Sequence, residues 1–600
     1  MPHPSPEPST TPPDWPHCGH GTTPEDPVGC RGIHVPGHTA CLAHLADANR
    51  DAYLAGLAPG ADIDHRGTPF TELLLNSLLN ALCDPATGHP RLGIARFESA
   101  TFQGIVEFGS ATFQGYARFG SATFQGYAGF GSVTFQGYAW FGSVTFQGAA
   151  WFDSATFQAD AGFESATFQD YVGFGSATFQ GATWFESVTF QGAAWFESAT
   201  FQGDAWFESA TFQSDARFEA ATFHGDARFE QAVFERWVSL GPLVCTERVR
   251  LSGAVFNGPA TLSFAARRLE CRRTRWSSTA EVRLRYATVD FAHAVFEYPL
   301  TIAAEADPFM LPDGRTVAEQ ALAHAPDATV RMASLRGVDA AHLVLADVDL
   351  SECLFTGTVH LDQLRLEGTC SFDTVPPRRR WRPARLTQRR TLAEEHHWRA
   401  QQPAAVRGWN PAVLGAGHAG PAQLAPVYRA LRKAFEDGKN EPGAADFYYG
   451  EMEMRRHDRT GTPRAERGLL HGYWLLSGYG LRALRALGWL AAAMLITIVL
   501  LMGVGLPEED PKQKATRTVP PGGGRVTFEI EKGDPQNPTG DRFTGKRFEK
   551  ALNVTLNSVV FRSSGQDLTT AGTYIEMASR VTEPVLLGLA VLAVRNRVKR

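Results

Sequence analysis

The most regular pattern in the chain is a spacing of Phe residues that runs from Phe97 to Phe234. Phe recurs at alternating steps of five and six residues, as in Phe97, Phe102 and Phe108. Two residues before each Phe stands a small residue, which is Ala in most copies, Val in some and Thr at Thr183. Neither the three- and four-residue spacing of a helix nor the strict alternation of a flat strand fits this pattern.

Each Phe and the small residue two positions before it point to the same side of a short strand, because side chains alternate along a strand. The polar pairs that follow, such as Gln-Gly or Glu-Ser, are typical of turns. One copy of the eleven-residue unit, Ala111–Ser121, contains two such strand-and-turn pairs. An internal repeat decides the architecture of its region, and this one predicts a parallel β-helix filled with Phe.

The repeat resembles that of the pentapeptide-repeat family, whose unit is Ala, any residue, Leu or Phe, and two further residues. Here two such units are separated by one inserted residue, which is Tyr116 in the copy given above. The resemblance covers residues 91–240. It implies a mainly β fold, namely a right-handed quadrilateral parallel β-helix (solenoid), in which two successive copies of the eleven-residue unit make one coil.

The residues before the repeat contain closely spaced Cys and His. Residues 1–16 are rich in Pro, Ser and Thr and are predicted to be disordered. Residues 17–90 are predicted to form a Cys/His-containing helical cap that covers the open end of the solenoid. Three Cys and a His suit a tetrahedral structural zinc site, and free thiols are the alternative. The candidate ligands are Cys18, Cys30, Cys41 and His44, with His20 as an alternate ligand.

The pattern changes after residue 240. Residues 241–372 keep apolar pairs but lose the register, which indicates irregular β-helix coils with an insertion at 307–330. Residues 373–425 predict a basic linker, and residues 426–466 a helical hairpin. In the second helix of that hairpin, Glu451 and Glu453 lack a nearby His or nucleophile in the sequence, so a solvated helix face is predicted for them.

The last part of the chain, residues 467–600, is predicted to be a membrane region. Apolar stretches at about 486–505 and 576–594 are long enough to span a bilayer. Basic residues lie at the outer end of each span, which predicts that both termini are cytoplasmic. The predicted location is the bacterial cytoplasmic membrane, with residues 506–547 as an external loop.

The segment between the spans resembles part of a two-helix ion-channel pore module. Residues 551–561 are similar to its pore helix, and the residues that follow lie where such modules carry a filter. A potassium filter needs successive backbone carbonyls turned inward, but the second filter Gly is missing and Arg562 adds a cation. A degenerate, pore-like anchor is therefore predicted, and oligomerisation through this region is possible. The pore-like residues are Ser563, Ser564, Gly565, Gln566 and Asp567.

Residues one coil apart should stack on one side of the solenoid. Trp residues just before Phe should point outward, and exposed aromatic stripes favour a partner-binding face. A ladder of carboxylates favours a basic partner or a cation, or else serves to keep the solenoid soluble. The predicted face comprises Trp140, Trp184 and Trp206 in one register, Trp151 and Trp195 on the opposite side, and Glu164, Glu186, Glu208 and Glu230.

Charge and composition narrow the function classes. The net charge is −6, and residues 96–235 contribute fifteen acidic and four basic side chains. This charge balance argues against nucleic acid as a partner. The eight Cys are scattered and no secretory leader precedes them, which predicts a reducing compartment. No nucleophile–base pair, phosphate loop or dinucleotide motif is found, so the protein is not expected to be an enzyme.

The predicted function is that of a membrane-anchored, non-catalytic scaffold. Its solenoid would bind an unknown protein partner on the cytoplasmic face, and a structural zinc ion would staple the cap. One alternative is a subunit of a channel-like pore with the β-helix as its regulatory domain. Another is a topoisomerase binder of the DNA-mimic type, which the resemblance to pentapeptide-repeat proteins implies.

Overall fold

The computed structural model divides into two compact units, residues 1–418 and 419–600. The first contains a β-solenoid and the second is mostly helical. The structure describes residues 11–311, 313–322, 327–376, 389–403, 408–410, 417, 419–508, 513–518, 522 and 527–598. Residues 1–10 of the predicted disordered start, and parts of the predicted insertion, linker and external loop, lie outside the described residues.

The cap of the first unit contains two helices and two short strands. Helix α1 spans Asp47–Ala55 and helix α2 spans Glu72–Ala81, and the strands are Ile63–Asp64 and Pro69–Phe70. The side chain of Thr71 caps α2 by accepting a hydrogen bond from the backbone N–H of Leu74. The strands pair in parallel with the first coils of the repeat, so the cap continues the solenoid.

The prediction of disorder for residues 1–16 is wrong for Trp15. Its indole N–H donates to the backbone oxygen of Arg31 at 2.9 Å, and the guanidinium of Arg66 lies 4.9 Å from the ring centroid. These contacts fix the start of the cap, because the indole offers a donor and an aromatic face to partners that are distant in the sequence.

The regular solenoid consists of two-residue strands separated by turns. Strands one coil apart pair in parallel, so that Phe135 lies opposite Phe157. The predicted parallel β-solenoid is confirmed, with about 12 turns in total. The strands are Arg91–Leu92, Ala95–Arg96, Thr101–Phe102, Val106–Glu107, Thr112–Phe113, Ala117–Arg118, Thr123–Phe124, Ala128–Gly129, Thr134–Phe135, Ala139–Trp140, Thr145–Phe146, Ala150–Trp151, Thr156–Phe157, Ala161–Gly162, Thr167–Phe168, Val172–Gly173, Thr178–Phe179, Thr183–Trp184, Thr189–Phe190, Ala194–Trp195, Thr200–Phe201, Ala205–Trp206, Thr211–Phe212, Ala216–Arg217, Thr222–Phe223, Ala227–Arg228 and Val233–Phe234.

Phe side chains fill the interior of these coils. Phe163 is fully buried, and its ring stacks on Phe141 at 4.9 Å and on Phe185 at 4.8 Å, one coil to either side. Within the coil layers it meets Phe152 and Phe174 edge-on, at 5.6 and 5.5 Å. Stacked and edge-on pairs are the favoured aromatic arrangements. The repeat places both kinds of pair in every coil of the regular solenoid.

Thr183 is the exception among the small interior residues, and it leads to a prediction. It is 1% exposed, and its hydroxyl oxygen has no hydrogen-bond partner within the described structure. Thr183→Val keeps the shape and removes the unsatisfied hydroxyl, so we expect the free energy of unfolding to rise by about 1 kcal/mol. Denaturant unfolding measures this. The control Thr178→Val changes an outward-facing, half-exposed Thr and should have little effect; a loss of stability in Thr183→Val contradicts the prediction.

His65 occupies an interior position in the first coil and makes cap stability depend on pH. It is 1% exposed, its ring meets those of Phe70 and Phe97, and its Nε2 lies 3.4 Å from the hydroxyl of Tyr53. Burial lowers the pKa of His65 from 6.5 to about 4, and the charge of Asp64 opposes this only in part.

As the pH falls, His65 becomes protonated at a higher pH in the unfolded chain than in the folded one, because its pKa is lower in the folded state. Stability is therefore complete above pH 6.5 and falls as the pH drops towards 4, by up to about 3 kcal/mol. His65→Phe should remove this component. Unfolding of both proteins at pH 7 and pH 4.5 measures it, and an equal pH dependence in the two proteins would refute it.

Beyond residue 237 the strands lengthen and the coils become irregular. Strands Val255–Phe256 and Arg275–Trp276 are paired, and fewer residues separate them than separate paired strands of the regular coils. Trp276 takes the place of Phe in the interior, and its ring stacks on that of Phe256 at 4.0 Å. Phe309 of the insertion packs on the outside of these coils with Val244. The remaining strands are Val238–Arg250, Ala260–Glu270, Ala280–Arg285, Thr288–Asp290, Val295–Phe296, Leu300–Ala304, Arg331–Ser334, Leu343–Ala346 and Arg365–Glu367, with short 3-10 turns at Leu42–His44, Gln320–Leu322, Ala340–His342 and Leu361–Gln363.

A folded element closes the other end of this unit, where a linker was predicted for residues 373–425. Strands Asp373–Thr374 and Arg390–Thr391 pair antiparallel, and helix α3 spans Ala393–Ala400. Glu394, 1% exposed, accepts hydrogen bonds from the backbone N–H groups of Phe355 and Thr356. The linker prediction is wrong for these residues, which form a strand pair and a helix. They fold against the solenoid because the Glu394 carboxylate satisfies N–H groups that the last coil would otherwise leave unpaired.

The second unit begins with three helices, α4 (Pro421–Asp437), α5 (Glu441–His457) and α6 (Arg464–Ser477). Helices α4 and α5 approach closely at Gly450, where a Cβ would lie 2.3 Å from a ring carbon of Tyr428. The predicted hairpin of helices is thus present, with α6 as a third member.

The carboxylates of α5 do not form a solvated face, contrary to the prediction. Glu451 is 2% exposed and accepts hydrogen bonds from Arg429 and Arg432 of α4 at 2.8 and 3.0 Å. Glu453 accepts from Arg456 at 2.7 Å and from the hydroxyl of Tyr479 at 3.0 Å. These carboxylates are buried because each has a cationic partner within the helical unit.

Two long apolar helices follow. Helix α7 (Ala483–Leu500) continues into a π-helical turn, Leu501–Gly505, and helix α9 spans Thr570–Val598. Between them lie the antiparallel strands Gln513–Thr518 and Thr527–Lys532 and helix α8, Gly545–Val559. Residues 483–505 and 570–595 are long and apolar enough to cross a membrane.

Candidate metal site and interaction surface

The cap brings Cys18, Cys30, Cys41 and His44 together, with all ligand atoms within 4.8 Å of one another. Two backbone segments position them. Cys18 N donates to Gly32 O and Gly19 N donates to Cys30 O, both at 2.8 Å, which holds the first two Cys on adjacent segments. Cys41 and His44 lie three residues apart, at the start and end of one 3-10 turn, so that their side chains share a side of the turn.

The spacing of the ligand atoms fits a tetrahedral metal. Cys30 Sγ and Cys41 Sγ are 3.7 Å apart, and His44 Nδ1 lies 3.4 Å from Cys41 Sγ and 3.6 Å from Cys18 Sγ. A tetrahedral zinc ion with its usual bond lengths has S···S edges of about 3.8 Å and S···N edges of about 3.5 Å. The donor set and its geometry therefore fit zinc.

Further features of the site support metal binding. The hydrogen bond from the Cys41 thiol lowers the pKa of Cys30 and the same contact raises the pKa of Cys41, so the metal-free site favours one thiolate, and a bound metal would displace the proton that the two thiols share. The backbone N–H of Gly32 lies 3.4 Å from Cys30 Sγ. A Cβ on Gly32 would come within 2.6 Å of the Cys41 Cβ, so only Gly allows this approach. His20 is not in the ligand cluster; its ring stacks on that of His44 at 4.2 Å.

The predicted Trp residues lie in two columns on opposite sides of the regular coils. In the first, Trp184 and Trp206 are paired in the sheet and their rings stack at 5.4 Å, with 12° between the planes. Trp140 lies two coils before Trp184, and all three are half-buried. In the second column, Tyr171 fills the space between Trp151 and Trp195, 4.7 Å from each ring.

Carboxylates line the first Trp column. Glu164, Glu186, Glu208 and Glu230 each stand two residues after the outward position of their strand, and all are half-buried. Burial raises the pKa of Glu164, and the charge of Glu186 in the next coil raises it further. The ladder therefore carries an unfavourable concentration of negative charge, as the coil-to-coil register predicts.

Several residues of this surface were not singled out in the sequence. Tyr138 lies 6.0 Å from the ring of Trp140, and Asp160 and Asp204 stand two residues before the outward position of the first column. Arg217 lies 5.0 Å from the ring of Trp195 in the second column. The same coil-to-coil spacing that identifies the Trp residues also predicts these positions, because Arg217 lies one coil after Trp195 in the second column and the other residues lie in columns beside the first.

The pore-like residues lie in an extended segment between α8 and α9. The backbone N–H and hydroxyl of Ser564 are each 3.3 Å from a carboxylate oxygen of Glu576 in α9. Gly565 adopts a left-handed conformation with φ of 63°, and Gln566 N donates to the Ser564 hydroxyl oxygen. Ser563 is exposed and Asp567 is half-buried. The chain thus turns back into α9 directly after α8.

A comparison with known proteins agrees with the repeat. The family model described as "Pentapeptide repeats (9 copies)" matches residues 92–134, 163–209, 174–222 and 196–241. These parts of the chain therefore carry pentapeptide repeats, and the repeats form a β-solenoid. This fold is a scaffold of the protein-interaction type, and pentapeptide-repeat proteins are generally non-catalytic. No curated protein and no solved structure matches the chain.

Proposed function

We propose that this protein is a membrane-anchored, non-catalytic scaffold of the bacterial cytoplasmic membrane. Its solenoid lies on the cytoplasmic side and binds a protein partner through the two Trp columns and the carboxylates beside them. The observation that carries the proposal is the ordered, half-exposed aromatic surface built on a rigid sheet. Aromatic side chains that are already held in place lose little entropy on binding, which makes them good contact residues.

The second unit supports the membrane anchor. Only 28% and 33% of the most apolar windows in its two long helices are buried, whereas the core helix of a soluble protein is mostly buried. Outward-facing residues such as Leu495, Ile496, Val585 and Val591 are more than half exposed, and lipid would cover them. Glu583 of α9 accepts a hydrogen bond from the hydroxyl of Thr497 in α7, which gives one oxygen of this carboxyl a partner between the helices.

Capture of partners from detergent extracts tests the scaffold proposal. The full-length protein is compared with the double variant Trp184→Ala/Trp206→Ala. We expect the double variant to lose the partner that the wild type retains, while its melting temperature changes little because both rings lie outside the filled interior. Thr189→Ala/Thr211→Ala, which changes outward residues in a different sheet, is the control and should keep the partner. If the Trp variant keeps every partner, the proposal fails.

A second candidate function is a pore, and the placement of α8 favours it. Ala551 and Val554 of α8 pack with Ile498 and Leu501 of the first apolar helix, and the extended segment then returns the chain to α9. This is the order of elements in a two-helix pore module. Reconstitution in planar bilayers tests it: a selective current that disappears in a variant deleted for residues 563–567 would support conduction, and its absence supports the anchor alone.

A further inference from the structure

The first Trp column follows one line of paired strands. Its outward positions are occupied, coil by coil, by Arg118, Trp140, Gly162, Trp184, Trp206 and Arg228. From Gly162 onward, carboxylates flank this line on both sides, with a Glu two residues after each position and an Asp two residues before most of them. The line itself therefore consists of aromatic rings, guanidinium groups and one Gly.

Two arginines of the protein already use this kind of surface. The guanidinium of Arg228 lies 5.0 Å from the ring centroid of Trp206 and 3.0 Å from the carboxylate of Asp204. On the opposite side, Arg217 lies 5.0 Å from Trp195 and 5.6 Å from Trp237. A guanidinium held by an indole face and a carboxylate gains from both cation–π attraction and charge.

Gly162 interrupts the line between two Trp residues. The ring of Trp140 lies against the backbone at this position. A Cβ would come within 2.8 Å of the Trp140 ring at Gly162, within 2.3 Å at Gly142 and within 2.7 Å at Gly120. Trp140 thus lies across three glycines and presents its outer face. Trp184, stacked on Trp206 on one side, has its other side towards Gly162.

The carboxylates around Gly162 differ in their ion pairing from those further along the line. Asp160 stands two coils before Asp204 and so occupies the same register as the partner of Arg228. Among the residues that the structure describes, Asp160, Glu164 and Glu186 form no ion pair, whereas Asp204, Asp226 and Glu230 pair with Arg228 or Arg250. One carboxylate oxygen of Glu164 is buried without a hydrogen-bond partner in that part of the chain, as is one of Glu230, but only Glu230 has an arginine beside it. These coils therefore have the carboxylates of an arginine site but not the arginine.

We propose that this position is a docking site for an arginine side chain of the protein partner, a proposal that rests on the scaffold function above. The guanidinium lies on the outer face of Trp140 beside Trp184 and pairs with Asp160 and Glu164. Arginine fits better than lysine, because a planar guanidinium can stack on an indole while it donates to carboxylates at its edges. The site repeats, with a partner's residue, the contacts that Arg228 makes within the chain.

Peptide binding to the full-length protein in detergent tests this site. The probe is a fluorescent peptide with four Arg residues, and the comparison peptide has four Lys residues. We expect the Arg peptide to bind at least about threefold more tightly, and Trp184→Ala and Glu164→Gln each to weaken it by about fivefold. The control variants Thr189→Ala and Glu235→Gln, in the sheet that carries neither Trp column, should leave binding of the Arg peptide unchanged.

The outcomes separate this inference from the scaffold proposal. Equal binding of the two peptides, or an equal loss of binding in the two control variants, shows only a general attraction to negative charge and overturns the site. If Trp184→Ala/Trp206→Ala loses the partner but neither Trp184→Ala nor Glu164→Gln changes Arg-peptide binding, the scaffold proposal stands and the arginine site is wrong. Melting temperatures of all variants verify that each is folded.

Discussion

Removal of zinc by a strong chelator, or the substitution Cys41→Ser, is expected to unfold residues 17–55 of the cap while the solenoid stays folded. This part of the cap contains the ligands and α1, and besides Cys41 its buried apolar side chains are only Val28, Val35, Leu42 and Leu45. Structural zinc contributes roughly 10 kcal/mol to the folding of small domains of this kind, which is more than so small a core supplies. The solenoid has its own stacked Phe interior and does not need the metal.

Metal analysis and limited trypsin digestion measure this effect. The wild-type protein should contain one zinc ion per chain and resist cleavage after Arg31 and Arg50, and Cys41→Ser should lose the zinc and be cut at both positions. Cys83→Ser is the matched control, because Cys83 is half-buried and lies outside the ligand cluster. Wild-type protein without zinc, or a cap equally resistant with and without it, would show that the four residues form no structural metal site.

The metal site shows what the sequence could and could not predict. Three Cys and a His in the short stretch from Cys18 to His44 were enough to predict zinc, because few other chemistries use that donor set. The sequence favours His44, three residues after Cys41, and leaves His20 as an alternate ligand. In the structure the 3-10 turn places His44 beside Cys41, and His20 lies outside the cluster with its ring stacked on that of His44.

The solenoid was predictable for a different reason. Its period fixes which residues face inward, so Phe97 to Phe234 could be assigned to the interior from the sequence alone, and all of them are buried. The closing element was not predictable. In the sequence, Glu394 is one of several charged residues in a polar segment, and nothing distinguishes it from the others. Only the fold brings its carboxylate to the N–H groups of Phe355 and Thr356.

The same limit applies to the buried carboxylates of the helical unit. Glu451 and Glu453 lie two residues apart on one helix, and a solvated face is the usual setting for such a pair. Glu453 has one partner on its own helix, Arg456, but Arg429, Arg432 and Tyr479 come from other elements of the unit. An ion pair between two elements produces no repeating pattern in the sequence, so it cannot be predicted from spacing. The apolar packing of the solenoid does produce such a pattern, namely the regular spacing of Phe.

Phe163→Ala is expected to destabilise the middle of the solenoid by about 3–5 kcal/mol, the usual loss when a buried Phe is truncated and leaves a cavity. Five neighbouring rings lose a contact, because Phe163 stacks between Phe141 and Phe185 and meets three further rings edge-on. In a solenoid each coil is supported by its neighbours alone, so the weakened coil separates two regions that can then unfold independently. Hydrogen exchange should report faster opening in residues 141–185 than in the coils on either side.

Phe163→Leu is the matched variant, because Leu also occupies this position in the repeat unit of the family. It keeps a branched apolar side chain in the interior, and we expect it to lose about 1–2 kcal/mol, less than the Ala variant. Gln158→Ala changes an exposed residue next to the same coil and should leave unfolding within about 0.5 kcal/mol of the wild type. This order of effects follows only if the volume of the ring fills the interior. A Phe163→Ala protein as stable as Gln158→Ala would mean that the stacked Phe rings do not hold the coils together.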